Sequence, residues 1–365
     1  MNTRSKIGVV IAANLNFTPF YYRYEEIFVK ERIDFDLILW NRSGAKTETR
    51  ATHLFEYELR DDANNGDWKK IWKFEMFAQY AKRIIKKNHY EYLLFLGTNS
   101  GNGVFLANYL KRHYKNKFWI DVRDYTYEWF KPFSYLENKA IGAADVAVIS
   151  SKGYLSFLPK DREYVIAHNI DWDSINKLSK MRKVSGDGHI RISFIGNMRY
   201  FEENYRFLNL MANDNRFLLQ YFGTGCEKLK DYCEEKGITN VRFKGRFNRE
   251  ETANLYAETD IINNLYGNDQ TYLKLALSNK LYYALFMGKP ILVCKNTFME
   301  KVSAEGGIGF AIDYDDPLIK EKLIEFYKSF RPSTEKSEAL KKRIRIEDVV
   351  FISSVMQCAH RIGRG

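Results

Sequence analysis

Asp124 and Glu128 stand four positions apart in Ile120-Asp121-Val122-Arg123-Asp124-Tyr125-Thr126-Tyr127-Glu128, at the end of an apolar run. A carboxylate at a strand end can take or orient a hydroxyl proton, an assistance worth ~10²–10⁴-fold in rate. A plainer use competes with it: Arg123 bridging one of the two acids, or Asp124 capping the next turn. The second half of the chain carries a different chemistry. Gly196-Asn197-Met198-Arg199, Gly223-Thr224-Gly225-Cys226 and Lys244-Gly245-Arg246-Phe247 each follow a short apolar run. Glycine lets backbone approach a ligand, and N–H groups at a helix start favour a phosphate. One such turn is ordinary punctuation; three at corresponding strand ends point to a nucleotide. Asn279-Lys280-Leu281-Tyr282-Tyr283 opens an apolar helix, and a lysine buried there needs an anionic partner.

Those turns need elements to hold them. Apolar runs at Lys6–Ala13, Asp36–Trp40, Glu91–Gly97, Phe118–Asp124, Asp145–Ser151 and Glu163–Ala167 alternate with helical patterns such as Asp67–Asn88 and Gly103–Tyr114. The alternation restarts with Arg191–Gly196, Phe217–Gly223, Val241–Gly245, Asp260–Tyr266, Pro290–Cys294 and Gly309–Ile312. Strands apolar on both faces and separated by helices make a parallel sheet covered on both sides. The expected fold class is α/β, with two Rossmann-like doubly wound domains facing a cleft. Residues 1–170 form the first domain, 171–188 a linker without strand signal, and 189–340 the second domain. Residues 341–365 form a C-terminal helix, for which a return to the first domain and a place on the second are both open. Ligands in such folds bind beyond the carboxyl ends of the strands. Asn248-Arg249-Glu250-Glu251 has capping-box spacing, and Gly237 ends the helix before it.

At 365 residues the chain is long enough for two cores. The formal charge of +11 attracts phosphates on nucleotides or anionic lipid, but no tail concentrates it, which argues against a nucleic-acid-binding extension. The four cysteines, Cys226, Cys233, Cys294 and Cys358, show no CxxC pair and no zinc spacing. Neither a complete GxGxxG nor a GxxxxGK[ST] loop occurs, so dinucleotide enzymes and P-loop kinases drop away. The apolar run Ile7–Ala13 is too short for a signal core, and none later spans a bilayer. The expected location is cytoplasmic. The stretch from Trp68 to Lys87 is helical, basic and aromatic; it could rest on anionic lipid, although Ile71, Phe74, Ala78, Ala81 and Ile85 suit packing on their own domain.

The stretches Ile192–Asn197, Gln220–Gly225 and Val241–Gly245 resemble the nucleotide-binding domain of GT-B glycosyltransferases. Asn279–Leu292 is the most specific match, being similar to the NKLYEYLALGKPIL element of bacterial family-four-like transferases. In the first half, Asp121–Glu128 resembles the D-x-R-D-x-x-x-E turn of capsule and O-antigen transferases, and Val148–Ser151 and His168–Asp171 match further segments in the expected order. The resemblance implies retaining hexosyl transfer from a UDP- or GDP-linked sugar to a glycan or lipid-linked glycan, in surface-polysaccharide synthesis. The nucleotide sugar enters as substrate, with no cofactor. Asp124 and Glu128 would serve the acceptor. Gly196, Asn197, Arg199, Gly223, Thr224, Gly245, Arg246, Asn279, Lys280 and Tyr283 would hold the donor, Arg199 and Lys280 neutralising the leaving diphosphate.

The chain departs from the pattern where the family carries a ribose-binding Glu. Tyr283 stands there, Leu275 stands at the earlier position, and no Asp or Glu occurs from Gln270 to Met299. Metal independence is expected, because Asp34-Phe35-Asp36, Asp171-Trp172-Asp173 and the acids at 313, 315 and 316 are not placed to chelate a donor-bound ion. A nucleotide-sugar epimerase and a non-catalytic nucleotide- or glycan-binding subunit are the alternatives. The epimerase would need acid/base groups that the acid-free stretch lacks.

Overall fold

The computed structural model describes residues 6–60, 67–97, 103–178 and 188–363. The chain forms two compact units, Met1–His168 with Ile346–Gly365, and Asn169–Arg345.

The first unit alternates strand and helix: β1 Ile7–Ile11, α1 Tyr21–Lys30, β2 Phe35–Asn41, β3 His53–Glu58, α2 Asp67–Asn88, β4 Tyr92–Leu96, α3 Ala107–His113, β5 Phe118–Val122, α4 Lys131–Ala143, β6 Val146–Ile149 and β7 Val165–Ile166. Its seven strands are all parallel, in the order β3-β2-β1-β4-β5-β6-β7. Winding runs outward from β1 to β3 and then returns past β1 to β4, in register Val9↔Leu37 and Val9↔Leu94. Every residue of β1, β2, β4 and β5 is buried, which is why these strands read as apolar runs, broken only by the buried Asp36 and Asn41 of β2 and Asp121 of β5. β3 was not among the expected strands: it is an edge strand, exposed at both ends and only half-buried between them, so its apolar signal is weak. Phe74, Ala78, Ala81 and Ile85 of α2 are buried and Ile71 is half-buried, as expected for a helix packed on its sheet. The side chains of Trp68 and Lys69 lie outside the described residues.

The second unit carries α5 Trp172–Leu178, β8 Ile190–Ile195, α6 Phe201–Met211, β9 Phe217–Phe222, α7 Glu227–Lys236, β10 Val241–Lys244, α8 Thr252–Ala257, β11 Ile261–Asn264, α9 Thr271–Leu275, α10 Asn279–Met287, β12 Ile291–Cys294, α11 Phe298–Glu305, β13 Gly309–Ile312 and α12 Ile319–Ser329, followed by α13 Glu335–Gly363. Its six strands are parallel in the order β10-β9-β8-β11-β12-β13, so the winding reverses between β8 and β11. Gly237 ends α7 in the left-handed conformation (φ 64°), and the Asn248 N–H donates to Glu251 Oε2 at 2.9 Å, the reciprocal bond of a capping box.

Residues 171–188 were expected to be a linker without strand signal; within them Trp172–Leu178 is helical and belongs to the second unit. Asp171 caps it, accepting from Ser174 N at 3.2 Å and Ser174 Oγ at 2.8 Å. Ile175 is buried, and the Trp172 ring meets Phe286 of α10 at 4.9 Å. The Ser185-Gly186-Asp187 stretch of that segment lies outside the described residues. The helix expected over 341–365 begins earlier, at Glu335. Leu340 and Ile344 join the second unit's core, while Phe351, Val355 and Cys358 are buried in the first unit's core. There the Phe351 ring lies edge-on to Tyr24 at 5.2 Å, and Asp348 pairs with Arg23 at 2.5 Å.

Candidate active site

The winding of the second sheet reverses between β8 and β11, and a crevice beyond the carboxyl ends of the strands at such a point is where doubly wound folds take ligands. The turns there are stitched together by backbone. Gly196 N donates to Phe222 O at 2.8 Å, Met198 N to Thr224 O at 2.9 Å, and Gly223 N to Lys244 O at 2.9 Å, extending the ladder past the strands. Gly196 and Gly223 both have φ of 137°. A Cβ on Gly223 would stand 1.9 Å from the Gly196 carbonyl oxygen, whereas one on Gly196 would meet nothing within 4 Å. Gly223 is therefore glycine so that one turn can lie against the other; Gly196 faces open space. A Cβ on Gly245 would likewise meet nothing within 4 Å. The side chains of Asn197, Arg199, Thr224, Arg246 and Asn279 are exposed.

Lys280 lies beneath this point. Ser278 Oγ accepts from Lys280 N at 3.3 Å and caps α10, which sets the lysine in the first turn, and its side chain is 2% exposed. Nζ donates to the Tyr266 hydroxyl at 2.6 Å and sits 3.5 Å from the centre of the Phe194 ring. Phe194 comes from β8 and Tyr266 from the turn after β11, so the ammonium is boxed at the reversal itself. Among the described residues no carboxylate pairs with it, and burial pulls its pKa well below the ordinary lysine value. Burial pushes the Tyr266 phenol up to about 12, against the nearby Ser278 hydroxyl and the positive field of Arg199. Tyr200 lies edge-on to Tyr266 at 5.3 Å and walls the box. The sequence marks Lys280 and Arg199; the partners Phe194 and Tyr266 are aromatic residues that look like core until the fold brings them in.

Tyr283, at the position where the resembled transferases carry a Glu, is buried. Its ring stacks on Tyr256 with centres 4.1 Å apart, and its hydroxyl donates to Asp171 Oδ2 at 3.3 Å. That carboxylate, the cap of α5, sits at the phenol's tip.

In the first unit the two sequence-marked acids differ in burial. Arg123 pairs with Asp121 at 2.6 Å and donates to Ala167 O at 3.0 Å, and the Tyr24 hydroxyl donates to the same Asp121 oxygen at 2.8 Å. The acid that anchors Arg123 is thus Asp121, fully buried in β5, the first acid of the motif and one to which the sequence reading gave no role. Asp124 is half-buried beyond the strand end. Glu128 is buried, and its Oε2 accepts from the Thr126 N–H. Burial raises its carboxyl to about 7, and the charge of Asp124 adds to the rise against bonds from the backbone. His168 serves structure: its Nε2 meets Glu347 of α13 at 2.8 Å.

Among the described residues no group of three or more His, Cys, Asp and Glu is gathered as metal ligands, and none of the helices is long and apolar enough to cross a membrane. Asp313 pairs with Lys295 and Asp316 with Lys322, and Asp316 Oδ1 accepts from Leu318 N at 3.0 Å, just before α12.

No protein-family model and no curated protein matches the chain in sequence. Solved structures match its whole length. Sucrose-phosphate synthase from Thermosynechococcus elongatus is 11% identical with a TM-score of 0.66, covering 99% of this chain and 98% of that one. HepE of Anabaena, in complex with UDP and glucose, is 10% identical with a TM-score of 0.58 and 98% of each chain covered. The UDP-N-acetylglucosamine 2-epimerase from Rickettsia bellii is 13% identical with a TM-score of 0.56, covering 97% and 98%. At such identities the likeness is one of fold, and together with the two parallel sheets it establishes that fold: the chain is built as a GT-B protein.

Proposed function

We propose that the protein is a glycosyltransferase that moves a sugar from a nucleotide-diphosphate-sugar to a glycan or lipid-linked glycan in surface-polysaccharide synthesis. The observation that carries this is Lys280, a buried amine at the reversal of the second sheet with no carboxylate paired to it among the described residues. An amine so placed is stabilised in its charged form when an anion arrives, and the developing diphosphate of a departing sugar is such an anion. Arg199 and the Asn197 N–H add donors on the same turn, past Gly196, whose own N–H is taken by Phe222 O. Thr224, Gly245, Arg246 and Asn279 offer polar contacts to the nucleotide from neighbouring turns. Asp124 and Glu128 serve the acceptor hydroxyl as orienting group and base. UDP is the favoured nucleotide, since the similar HepE structure holds UDP and glucose. No metal is required in this reading, lysine and arginine taking the charge a divalent ion would otherwise take. We place the reaction in the cytoplasm, where a lipid-linked acceptor would be met at the inner face of the membrane, and assign retention at the anomeric carbon.

Incubating the purified protein with a panel of UDP-, GDP- and CMP-sugars, with and without EDTA, tests the reading. The expected result is slow release of free sugar from one donor, insensitive to EDTA and lost in R199A; the anomer first released, read by proton NMR, tests retention. Failure of every donor to bind would overturn the proposal. An epimerase has the same fold, and production of an epimerised nucleotide sugar instead of free sugar would decide for it. The acid-free stretch Gln270–Met299 speaks against that outcome.

A further inference from the structure

Glu137 enters no part of the reading above, yet it is the most deeply buried glutamate of the described residues, 1% exposed on α4. Its carboxyl group faces that of Glu128. Glu128 Oε2 is occupied by the Thr126 N–H, but Oε1 of Glu128 and Oε1 of Glu137 both lack a donor among the described residues. Two acceptors that face one another without a donor cannot bond, and two anions so placed repel in a poorly solvated setting. One proton between them removes both difficulties.

Among the described residues no cation pairs with either carboxylate. The charged and titratable groups acting on Glu128 are Asp124 of its own loop and Glu137 of α4, while the Tyr125 phenol feels Glu128 in turn. Glu137 answers to burial and to Glu128, and the Tyr164 phenol feels it from the segment leading into β7. Lys131, the basic residue nearest Glu128 in sequence, is exposed, Lys139 lies over the Tyr135 ring at 5.7 Å, and Arg123 is engaged by Asp121 and the Ala167 carbonyl.

We propose that Glu137 is the positioning residue of Glu128: it keeps its proton at neutral pH and donates it in a hydrogen bond to the Glu128 carboxylate, so that the pair carries a single charge and Glu128 is the member that gains and loses it. Burial, then the Glu128 charge, pushes the Glu137 carboxyl well above the usual carboxylate range, while Glu128 titrates near 7, the range in which a carboxylate accepts a hydroxyl proton most usefully. The value of this arrangement to an acceptor hydroxyl rests on the proposed transferase reading; the shared proton does not.

Infrared spectroscopy of the full-length protein at about pH 8 tests the proton directly. Wild type is expected to show the C=O stretch of a protonated glutamate, assigned by glutamate-selective ¹³C labelling, and E137Q to lose it. The pH profile of donor hydrolysis gives the second readout. E137Q keeps a neutral donor in place and should leave the Glu128 limb within about half a unit of wild type, while E137M, with no donor, should raise it by about one unit. Absence of the band in wild type, or a fall of more than about one unit in E137Q, as removal of a negative neighbour would give, overturns the inference. The labelled wild-type spectrum stands if a variant fails to fold. Should E128Q retain full activity while the band behaves as expected, the shared proton is upheld and the base role of Glu128 is refuted.

Discussion

Replacing Gly223 with alanine tests how the second unit builds the turns beyond its strands. The added Cβ would stand 1.9 Å from the Gly196 carbonyl oxygen and 2.7 Å from its carbon, far inside contact distance and against backbone that has no rotamer to give. Two costs add. An L-residue held at φ of 137° carries strain of about 1–3 kcal/mol. Forcing the two turns apart adds about 1–3 kcal/mol in the manner of an overpacked core, and loosens the Gly196–Phe222 and Gly223–Lys244 bonds. The sum, about 2–6 kcal/mol, is a large share of the roughly 5–15 kcal/mol that holds a typical protein folded. G196A is the internal control: the same φ of 137°, but nothing within 4 Å of the new methyl, so it carries the conformational cost alone. Urea unfolding of both variants, with nucleotide-sugar affinity by calorimetry, isolates the clash as their difference of about 1–3 kcal/mol. G223A matching G196A to within about 0.5 kcal/mol would show that the turns are not locked by this approach, and would refute the argument.

Three further outcomes follow from buried polar groups. In K280M the buried amine is gone: wild-type stability rises with pH between the lowered folded value and the ordinary lysine value, because the unfolded chain binds the extra proton there, and the variant loses that slope in pH-dependent thermal unfolding. The same variant should bind nucleotide sugar about tenfold or more weakly by calorimetry, and unchanged affinity would remove Lys280 from the site. At Glu347, burial works to raise the carboxyl, but the bonds from His168 and Lys152 win and hold it at about 2. Its stabilising contribution is present above the ordinary value of 4.5 and is lost as pH falls toward 2, about 3 kcal/mol in all, so E347Q should flatten the acid limb of stability, and a parallel limb would count against the bridge. Y283E sets a second carboxylate beside Asp171 and breaks the Tyr256 stack; it should lower stability by about 1–3 kcal/mol in thermal unfolding without tightening donor binding, and a gain in affinity would show the family's Glu role to be recoverable here.

What the sequence shows of this protein follows burial. β1 and β4 are legible because a central parallel strand is apolar on both faces. β3 escapes for the opposite reason: its His-Leu-Phe-Glu-Tyr-Glu stretch is half-buried at an edge, and its hydrogen bonds rather than its apolarity make it a strand. α5 escapes because seven residues with Ile175 as the buried anchor carry too little periodicity, and the cap at Asp171 reads equally as a turn. The acids behave likewise. Spacing marks Asp124 and Glu128, but the partner of Arg123 is Asp121 and the neighbour of Glu128 is Glu137 on another element. Charge pairing inside a core is set by which side chains the sheet and helix turn toward one another, and local spacing does not carry that.

The glycine turns sharpen the point, because residues of one type, each just past a strand, turn out to have different reasons. Gly223 is fixed by the protein's own backbone, and any chain with these two turns in contact would require it whether or not it bound a nucleotide. Gly196 has the same φ and open space before it, so contact with neighbouring chain does not account for its lack of a side chain. A series of glycines at strand ends therefore overstates the case for a nucleotide by counting members that packing already explains. The weight passes to what surrounds Gly196: the exposed Arg199 on the same turn, Tyr266 on the turn after β11, and the amine of Lys280 held between Tyr266 and Phe194. A charge there costs free energy that the Tyr266 hydroxyl and the Phe194 ring offset only in part, which is why burial lowers the pKa of the amine, and an arriving anion would recover the rest.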